Sequence, residues 1–306
     1  MRFWLLNSAR KIFRMRNTPV VLFLLIALPA LASTKPVEIP LTISPEGFVM
    51  VPATLGGTLS AHVIFDTGAG MDVLAPSVIE KLHGMPAGKF TAFRMWGDRL
   101  DVPLFTISEI SVGPVVRSNV VVGAWDVLDQ LHLEGIVSVN DFRQQPFTLD
   151  FVNKVLVFET AKSVTQRRRL GKTSPLKFDE QRRITLDLFA DFLIGNQPGQ
   201  CEIDTGSPNA TVATRFMAPL AIDKDGKDVK KREQKNSDGV TTVRYKTTLP
   251  KIALVAAPQV AIANATTTFA DIIYDCVVGL DFWLGKVLTI DISGRQLIVS
   301  DSTQAR

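Results

Sequence analysis

An acid-containing segment that occurs twice in register constrains the fold of this chain more than any other feature. The stretch CEIDTGSPNATVATRFMAPL at 201–220 aligns with VIFDTGAGMDVLAPSVIEKL at 63–82, without a gap over the sixteen residues after Asp204 and Asp66. In both copies an apolar run ends in Asp-Thr-Gly, and apolar residues then recur at helical spacing. Each copy therefore predicts a strand that ends at the acid, a tight turn and a short helix with one buried face.

The two copies also agree further along the chain. LFTISEISVGPVV at 104–116 parallels LPKIALVAAPQV at 249–260, and EGIVSVNDF at 134–142 parallels DCVVGLDF at 275–282. These stretches are short runs rich in Val, Ile, Thr and Phe, broken by Gly, Pro, Asn and Asp, which indicates strands joined by turns. We therefore expect an all-β, bilobal fold built from two duplicated lobes.

The duplication also sets the expected boundaries of the two lobes. We assign residues 36–160 to the first lobe and residues 175–302 to the second, with a linker at 161–174. The linker region is polar, has no apolar period and contains a basic run at 167–169. We interpret it as a linker between the lobes.

The first 32 residues have the layout of a secretory signal peptide. They contain five basic residues and no acid, continue with the apolar run PVVLFLLIALPALA, and end at Ala30-Leu31-Ala32. We expect residues 1–32 to be removed and the mature chain to be periplasmic or secreted. The alternative is an uncleaved segment that anchors the protein to the inner membrane and provides its only membrane contact.

Removal of the leader would bring the net charge of the chain close to zero. The chain has 34 basic and 30 acidic residues, and the leader takes five of the basic ones, which leaves 29 against 30. A near-neutral mature chain gives no reason to expect nucleic-acid binding. His62, His83 and His132 occur in unrelated contexts and no HExxH or CxxC motif is present. We therefore expect neither a metal site nor a cofactor.

The paired acids predict a catalytic site. Two related lobes can pack about a pseudo-twofold axis, which would bring Asp66 and Asp204 together. Two carboxyl groups in contact cannot both ionise easily, so one would hold a proton while the other is charged. Such a pair can activate a water and donate a hydrogen bond to a substrate carbonyl. The residues expected to support the pair are Thr67, Gly68, Thr205, Gly206 and Ser207.

The two acids are also expected to differ from each other. Ser207 can donate a hydrogen bond to the carboxylate of Asp204, whereas Ala69 at the matching position has no donor for Asp66. A donor to the charged form lowers the pKa of a carboxyl group. We therefore expect Asp204 to be the ionised partner and Asp66 to hold the proton.

At these residues the sequence resembles the aspartic proteases of the pepsin and retropepsin kind. The resemblance rests on FDTGA at 65–69, IDTGS at 203–207 and VVGLDF at 277–282, and bacterial secreted members with two fused retropepsin-like lobes look most similar. The family implies a bilobal all-β fold with a cleft between the lobes and hairpin flaps above it. It implies an aspartic endopeptidase that acts on polypeptides, and two fused lobes imply a monomer. For a chain with a secretory leader, we expect the substrates to be envelope or extracellular proteins.

Two stretches are candidates for the flaps, 90–102 in the first lobe and 236–245 in the second. Each contains a Gly-Asp or Asp-Gly pair at which a tight turn is expected. The candidate flap residues are Trp96, Gly97, Asp238, Gly239 and Tyr245. The two aromatic residues among them could instead be ordinary exposed side chains of a hairpin.

The first lobe departs from the family pattern at Ser138, where the family's glycine would fall. The sequence leaves open whether this serine impairs activity. A non-catalytic peptide-binding protein on the same bilobal fold is therefore the alternative function.

The chain has two cysteines, Cys201 and Cys276, three residues before Asp204 and Gly279. If their strands are neighbours, as the family fold implies, the thiols could form a bridge in an oxidising compartment. Two buried free cysteines that pack as small apolar side chains are the interpretation we favour from the sequence.

Overall fold

The structure is a computed structural model that describes residues 35–235 and 241–301. The predicted signal peptide and the predicted turn at Asp238-Gly239 lie outside the described residues.

Strands account for most of the regular structure in both halves of the chain. The first half contains β1 Val37–Pro40, β2 Thr42–Ile43, β3 Val49–Leu55, β4 Leu59–Asp66, β5 Val73–Leu74, β6 Met85–Phe93, β7 Arg99–Val112, β8 Val115–Ala124, β9 Gly135–Ser138, β10 Phe147–Asp150 and β11 Val155–Phe158. The second half contains β12 Lys172–Pro175, β13 Lys177–Gln181, β14 Thr185–Ile194, β15 Gln197–Ile203, β16 Ala210–Ala213, β17 Lys230–Lys235, β18 Thr241–Leu254, β19 Ala261–Ala270, β20 Cys276–Val278, β21 Lys286–Asp291 and β22 Gln296–Asp301.

These strands form three sheets. The N-terminal sheet has the order β2-β3-β4-β9-β5-β8-β7-β6, and the C-terminal sheet has the order β13-β14-β15-β20-β16-β19-β18-β17. A third, bridging sheet has the order β1-β11-β10-β21-β22-β12 and so takes strands from both halves of the chain. The expected all-β, bilobal fold with two duplicated sheets is confirmed.

Short helices connect the strands. They are α1 Pro76–Lys81, α2 Val127–Gln130, α3 Ala161–Leu170 and α4 Leu280–Trp283, with 3₁₀ helices at Val139–Phe142 and Thr214–Phe216. The helix expected after the first Asp-Thr-Gly turn is α1, which buries Val78 and Ile79. In the second copy only the 3₁₀ turn forms, so the prediction of a helix there was wrong in length and type. Among the described residues no helix is long and apolar enough to cross a membrane.

The segment assigned as a linker contains regular structure. Residues 161–170 form α3, which begins at a capping box between Thr160 and Ser163, and β12 follows at once. Arg167 and Arg168 of the basic run form ion pairs, at 2.9 Å with Glu159 and at 2.8 Å with Asp291. These arginines therefore hold the helix against the bridging sheet.

The favoured prediction of two free cysteines was wrong. Cys201 on β15 and Cys276 on β20 are register partners in neighbouring parallel strands, with Cα atoms 4.5 Å apart, and they form a disulfide. The bridge therefore ties the strand that leads to Asp204 to its neighbour in the C-terminal sheet.

Candidate active site

Two central strands deliver the paired acids to one place. β4 ends at Asp66, and β15 ends at Ile203, one residue before Asp204. The apolar side chains that precede each acid, Phe65 and Ile203, are fully buried, so burial of the strand ends fixes where the acids emerge. The carboxyl groups of Asp66 and Asp204 lie within hydrogen-bonding reach of each other.

The threonines of the two turns bond across the pseudo-twofold axis. The Thr67 amide donates to Thr205 Oγ1 at 3.1 Å, and the Thr205 amide donates to Thr67 Oγ1 at 3.0 Å. Each hydroxyl also donates to a backbone carbonyl of the opposite strand, Thr67 to Ile203 at 2.7 Å and Thr205 to Phe65 at 3.1 Å. Both threonines are fully buried, so these four bonds lock the two turns together out of contact with water.

The glycines bring the backbone of each turn against the acid of the other. The Gly206 amide donates to Asp66 Oδ1 at 3.1 Å and to Asp204 Oδ1 at 2.7 Å, and the Gly68 amide donates to Asp66 Oδ1 at 2.9 Å. A Cβ at position 68 would overlap the carboxyl group of Asp204, and a Cβ at position 206 would overlap that of Asp66. Only glycine leaves room for the two carboxyl groups to meet.

The two acids receive unequal support, as the sequence predicts. The Ser207 hydroxyl donates to Asp204 Oδ2 at 2.6 Å and its amide donates to Asp204 Oδ1 at 3.1 Å. Among the described residues, the backbone donors to Asp66 are the two glycine amides, one of which it shares. Burial raises the pKa of Asp66 well above its usual value, and the charge of Asp204 raises it further, against the lowering effect of the amides. The raised pKa therefore favours the proton on Asp66, while more hydrogen-bond donors surround Asp204.

This asymmetry leads to a prediction for Ala69→Ser. By the repeat, a serine at position 69 would donate to Asp66 as Ser207 does to Asp204, and a donor to the charged form lowers a carboxyl pKa. Hydrolysis requires the proton on Asp66, so the alkaline limb of the pH–rate profile is expected to move to lower pH, by about one unit. A kcat/KM profile of the variant from pH 3 to 8 measures the shift, and an unchanged alkaline limb would contradict it.

Ser138 fits the turn beside Asp66 rather than disrupting it. Ser138 is the register partner of Asp66, and its hydroxyl donates to the carbonyl of Ala69 at 2.5 Å. Its amide donates to the buried carboxyl of Asp72 at 2.8 Å. At the equivalent Gly279 a Cβ would lie 2.6 Å from the carbonyl oxygen of Asn209, so only the second lobe requires glycine.

The first candidate flap is a hairpin that reaches the other lobe. β6 and β7 pair through residues 85–106, and the turn between them closes with a bond from the Gly97 amide to the Arg94 carbonyl. At its tip the carbonyl of Met95 accepts a bond from the Ile273 amide at 2.9 Å. Trp96 is half-buried against the C-terminal sheet, with the Arg244 guanidinium 4.2 Å from its ring centre. The hairpin therefore spans the cleft.

The second candidate flap is a hairpin of β17 and β18, which pair from Lys230↔Lys246 to Lys235↔Thr241. Its turn lies outside the described residues. Tyr245 packs on the main core, with the Lys224 ammonium 5.7 Å from its ring centre, and is not among the side chains that line the cavities beside the acids.

The cleft beside the acids consists of two adjoining cavities that share the turn at 68–70. One, of about 650 Å³, lies along the N-terminal sheet and has apolar walls that include Trp96, Leu100 and Trp125. The other, of about 480 Å³, reaches the C-terminal sheet. Its lining includes the polar residues Asp179, Asp187, Glu202, Asp204 and Tyr274.

Apart from Asp204, these polar residues were missed in the sequence. A signal for one of them was present, because Glu202 stands two positions before Asp204 in a strand that is otherwise apolar at that end. The first copy has Ile64 at the matching position.

Comparison with known proteins agrees with this geometry. Residues 51–159 match a family model described as aspartyl protease. This range contains Asp66, its turn, the first flap hairpin and Ser138, so the N-terminal part of the site is aspartyl-protease-like. The sequence has no significant match among curated proteins.

Two solved structures share the fold over most of their length. Basic 7S globulin from soybean is 10% identical with a TM-score of 0.51, over 87% of this chain and 95% of that one. A protein named EDGP is 9% identical with a TM-score of 0.54, over 88% of this chain and 95% of that one. These similarities establish a pepsin-like, aspartic protease-type fold.

Proposed function

We propose that this protein is an aspartic endopeptidase that hydrolyses peptide bonds with a water activated between Asp66 and Asp204. The observation that carries the proposal is the unequal acid pair, in which Asp66 has a raised pKa and Asp204 accepts three hydrogen bonds from its own turn. One neutral and one charged carboxyl in contact supply a general acid and a general base at one point of the cleft.

The chemistry needs no covalent enzyme intermediate. Asp204 takes a proton from the water while the water oxygen bonds to the peptide carbon, and Asp66 gives its proton to the carbonyl oxygen. In the second step the proton on Asp204 passes to the peptide nitrogen as the C–N bond breaks. One hydroxyl of the tetrahedral intermediate returns its proton to Asp66, so a carboxylic acid and an amine leave the cleft and the pair is restored.

The surroundings support this use of the acids. The flap hairpin crosses the cleft through the Met95–Ile273 bond and would shield a bound peptide from water. The bonds that Ser138 makes in the first turn also support an intact site.

A peptide library digested by the purified mature protein across a range of pH tests the proposal. We expect cleavage that pepstatin inhibits and that has a mildly acidic optimum. A peptide that binds and is recovered intact, with no cleavage at any pH, would instead support the non-catalytic peptide-binding function.

We further propose that the protein acts as a monomer on envelope or extracellular polypeptides. The support is the secretory layout of residues 1–32 and the presence of both acids in one chain. The Cys201–Cys276 disulfide also fits an oxidising compartment.

The proposed location gives a prediction for the mature protein. Intact-mass measurement of the protein from a periplasmic or secreted fraction is expected to give a chain that begins at or near Ser33, because cleavage follows Ala30-Leu31-Ala32. A mass that retains residues 1–32, with the protein in the membrane fraction, would favour the uncleaved anchor.

A further inference from the structure

Three carboxyl groups outside the catalytic pair lie together in the cleft. Asp179 on β13 and Asp187 on β14 are direct register partners. Glu202 on β15 lies opposite Phe189, which is two residues from Asp187 and on the same face of β14. All three line the cavity of about 480 Å³ that also contains Asp204. We call Asp179, Asp187 and Glu202 the acidic subsite.

Glu202 is buried without a partner. It is 4% exposed, and no hydrogen bond or ion pair from the described residues reaches its carboxyl. Burial raises the pKa of Glu202 well above its usual value, and repulsion from Asp204, Asp187 and Asp66 raises it further. A buried carboxyl with no donor is unfavourable, and because Glu202 lines the cavity it is placed to meet a donor group on a bound ligand.

Asp187 and Asp179 add to this unfavourable arrangement of acids. Acids directly opposite each other on neighbouring strands repel. Burial raises the pKa of Asp187 to about 7, and Asp179 contributes to the rise. Arg94 also lines the cavity, but it pairs with Asp98 of its own hairpin at 3.3 Å.

The repeat shows that the fold itself does not require these acids. Ile64 lies opposite Met50 in the N-terminal sheet, as Glu202 lies opposite Phe189 in the C-terminal sheet. By this register, the N-terminal equivalents of Glu202, Asp187 and Asp179 are Ile64, Phe48 and Ser44. Because equivalent strands form with neutral residues, the acids belong to the cleft rather than to the architecture.

We propose that the acidic subsite binds the cationic side chain of a lysine or arginine residue of the substrate, on the side of the scissile bond lined by β13, β14 and β15. This inference rests on the proposed endopeptidase function. The subsite offers several carboxylate oxygens to an ammonium or guanidinium group. Ile273 and the ring of Tyr274, which packs 5.2 Å from that of Phe189, provide an apolar wall for the aliphatic stem.

A metal ion is the other cation that carboxylates attract. Within residues 35–235 and 241–301, no three acidic, histidine or cysteine side chains are arranged to hold one. A side chain that enters from the open cleft therefore fits the subsite better than a resident metal.

The preference for a basic residue is expected to depend on pH. The charged and titratable groups that face Glu202 are Asp66, Asp179, Asp187, Asp204, Tyr274 and Arg94. Below the raised pKa values of Asp187 and Glu202 these acids are neutral and attract a cation weakly. The preference is therefore expected to grow as pH rises from 5 toward 7, until hydrolysis itself fails as Asp66 ionises.

The test uses pairs of peptides that differ at one position, with lysine in one and norleucine in the other. The substituted position is moved across three residues on each side of the cleaved bond. We expect the wild-type ratio of kcat/KM, lysine over norleucine, to be roughly tenfold to a hundredfold at one position. In Glu202→Gln and in Asp187→Asn this ratio should fall toward one. Glu38→Gln, which removes an exposed charge on β1 of the bridging sheet outside both cleft cavities, should leave it unchanged.

The outcomes separate the subsite from the proposed function. Hydrolysis with the same ratio in wild type, Glu202→Gln and Asp187→Asn overturns the subsite and leaves the endopeptidase intact. If the wild type cleaves nothing, the endopeptidase fails, and calorimetric binding of the same peptides decides the subsite. Tighter binding of the lysine peptide that Glu202→Gln abolishes would uphold it, and equal binding would overturn it. If Glu202→Gln does not fold, Asp187→Asn alone decides, because Asp187 is only half-buried.

Discussion

Asp66→Asn and Asp204→Asn are each expected to lower kcat/KM for peptide hydrolysis by about 10⁴-fold, since either change removes one of the two proton-transfer groups. Asparagine keeps the shape of the side chain but cannot take a proton from water or give one to a carbonyl oxygen. The remaining carboxyl cannot act as acid and base in the same step. A loss of this size corresponds to about 5.5 kcal/mol of transition-state stabilisation.

The matched control is Asp223→Asn, in an exposed turn of the second lobe. Its Oδ1 accepts a bond from the Asp225 amide at 3.1 Å, which the amide oxygen of asparagine can replace. This variant should retain wild-type activity. Neither catalytic variant should lose much Tm, because asparagine keeps the shape of the side chain and its amide oxygen can accept the backbone bonds that each acid receives. Activity retained in Asp66→Asn or Asp204→Asn would remove that residue from the site.

The repeat allowed the fold and the position of the acid pair to be predicted from the sequence. The apolar residues before Asp66 and Asp204 predict strands that end in a core, and the gap-free match between the copies predicts equivalent turns. If two equivalent turns lie at a pseudo-twofold axis, the acids that they carry lie next to each other. The structure brings Asp66 and Asp204 together in this way, with Thr67 and Thr205 bonded between them.

Features that depend on contacts between distant residues could not be predicted. Helix α3 buries only Val164, so its sequence lacks an apolar face. Its position depends partly on the ion pair of Arg168 with Asp291, 123 residues away. Similarly, the disulfide requires Cys201 and Cys276 to be register partners on parallel strands, and no local pattern fixes that register. The local spacing of residues predicted neither helix α3 nor the disulfide, because in both cases the stabilising partner lies in a distant part of the sequence.

The acidic subsite could be predicted from the sequence only in part. Glu202 was visible as an acid in an apolar strand, but its neighbours Asp179 and Asp187 come from two other strands and meet it only through the pairing of β13, β14 and β15. Glu202 differs from an ordinary surface acid because the matching residue of the first copy is the apolar Ile64.

Thr67→Val is expected to lower both stability and activity, because it removes a hydroxyl that holds the two lobes together. Valine has the shape of threonine but cannot donate to the Ile203 carbonyl or accept from the Thr205 amide, bonds of 2.7 and 3.0 Å in the wild type. Both groups would be left unpaired in a fully buried position, at a cost of about 3 kcal/mol. Tm should therefore fall by roughly 6–12 °C.

Activity should fall mainly through kcat, because the hydroxyl fixes the positions of the acids rather than contacting the substrate. A small displacement of reacting groups can reduce the rate by about 10²-fold. Thr67→Ser is the matched control, since it keeps the hydroxyl and loses only a methyl group, and it should retain most of the Tm and kcat. Thermal unfolding and steady-state kinetics of the two variants measure both effects. If valine and serine variants behaved alike, the hydroxyl bonds across the axis would not be what positions the two acids.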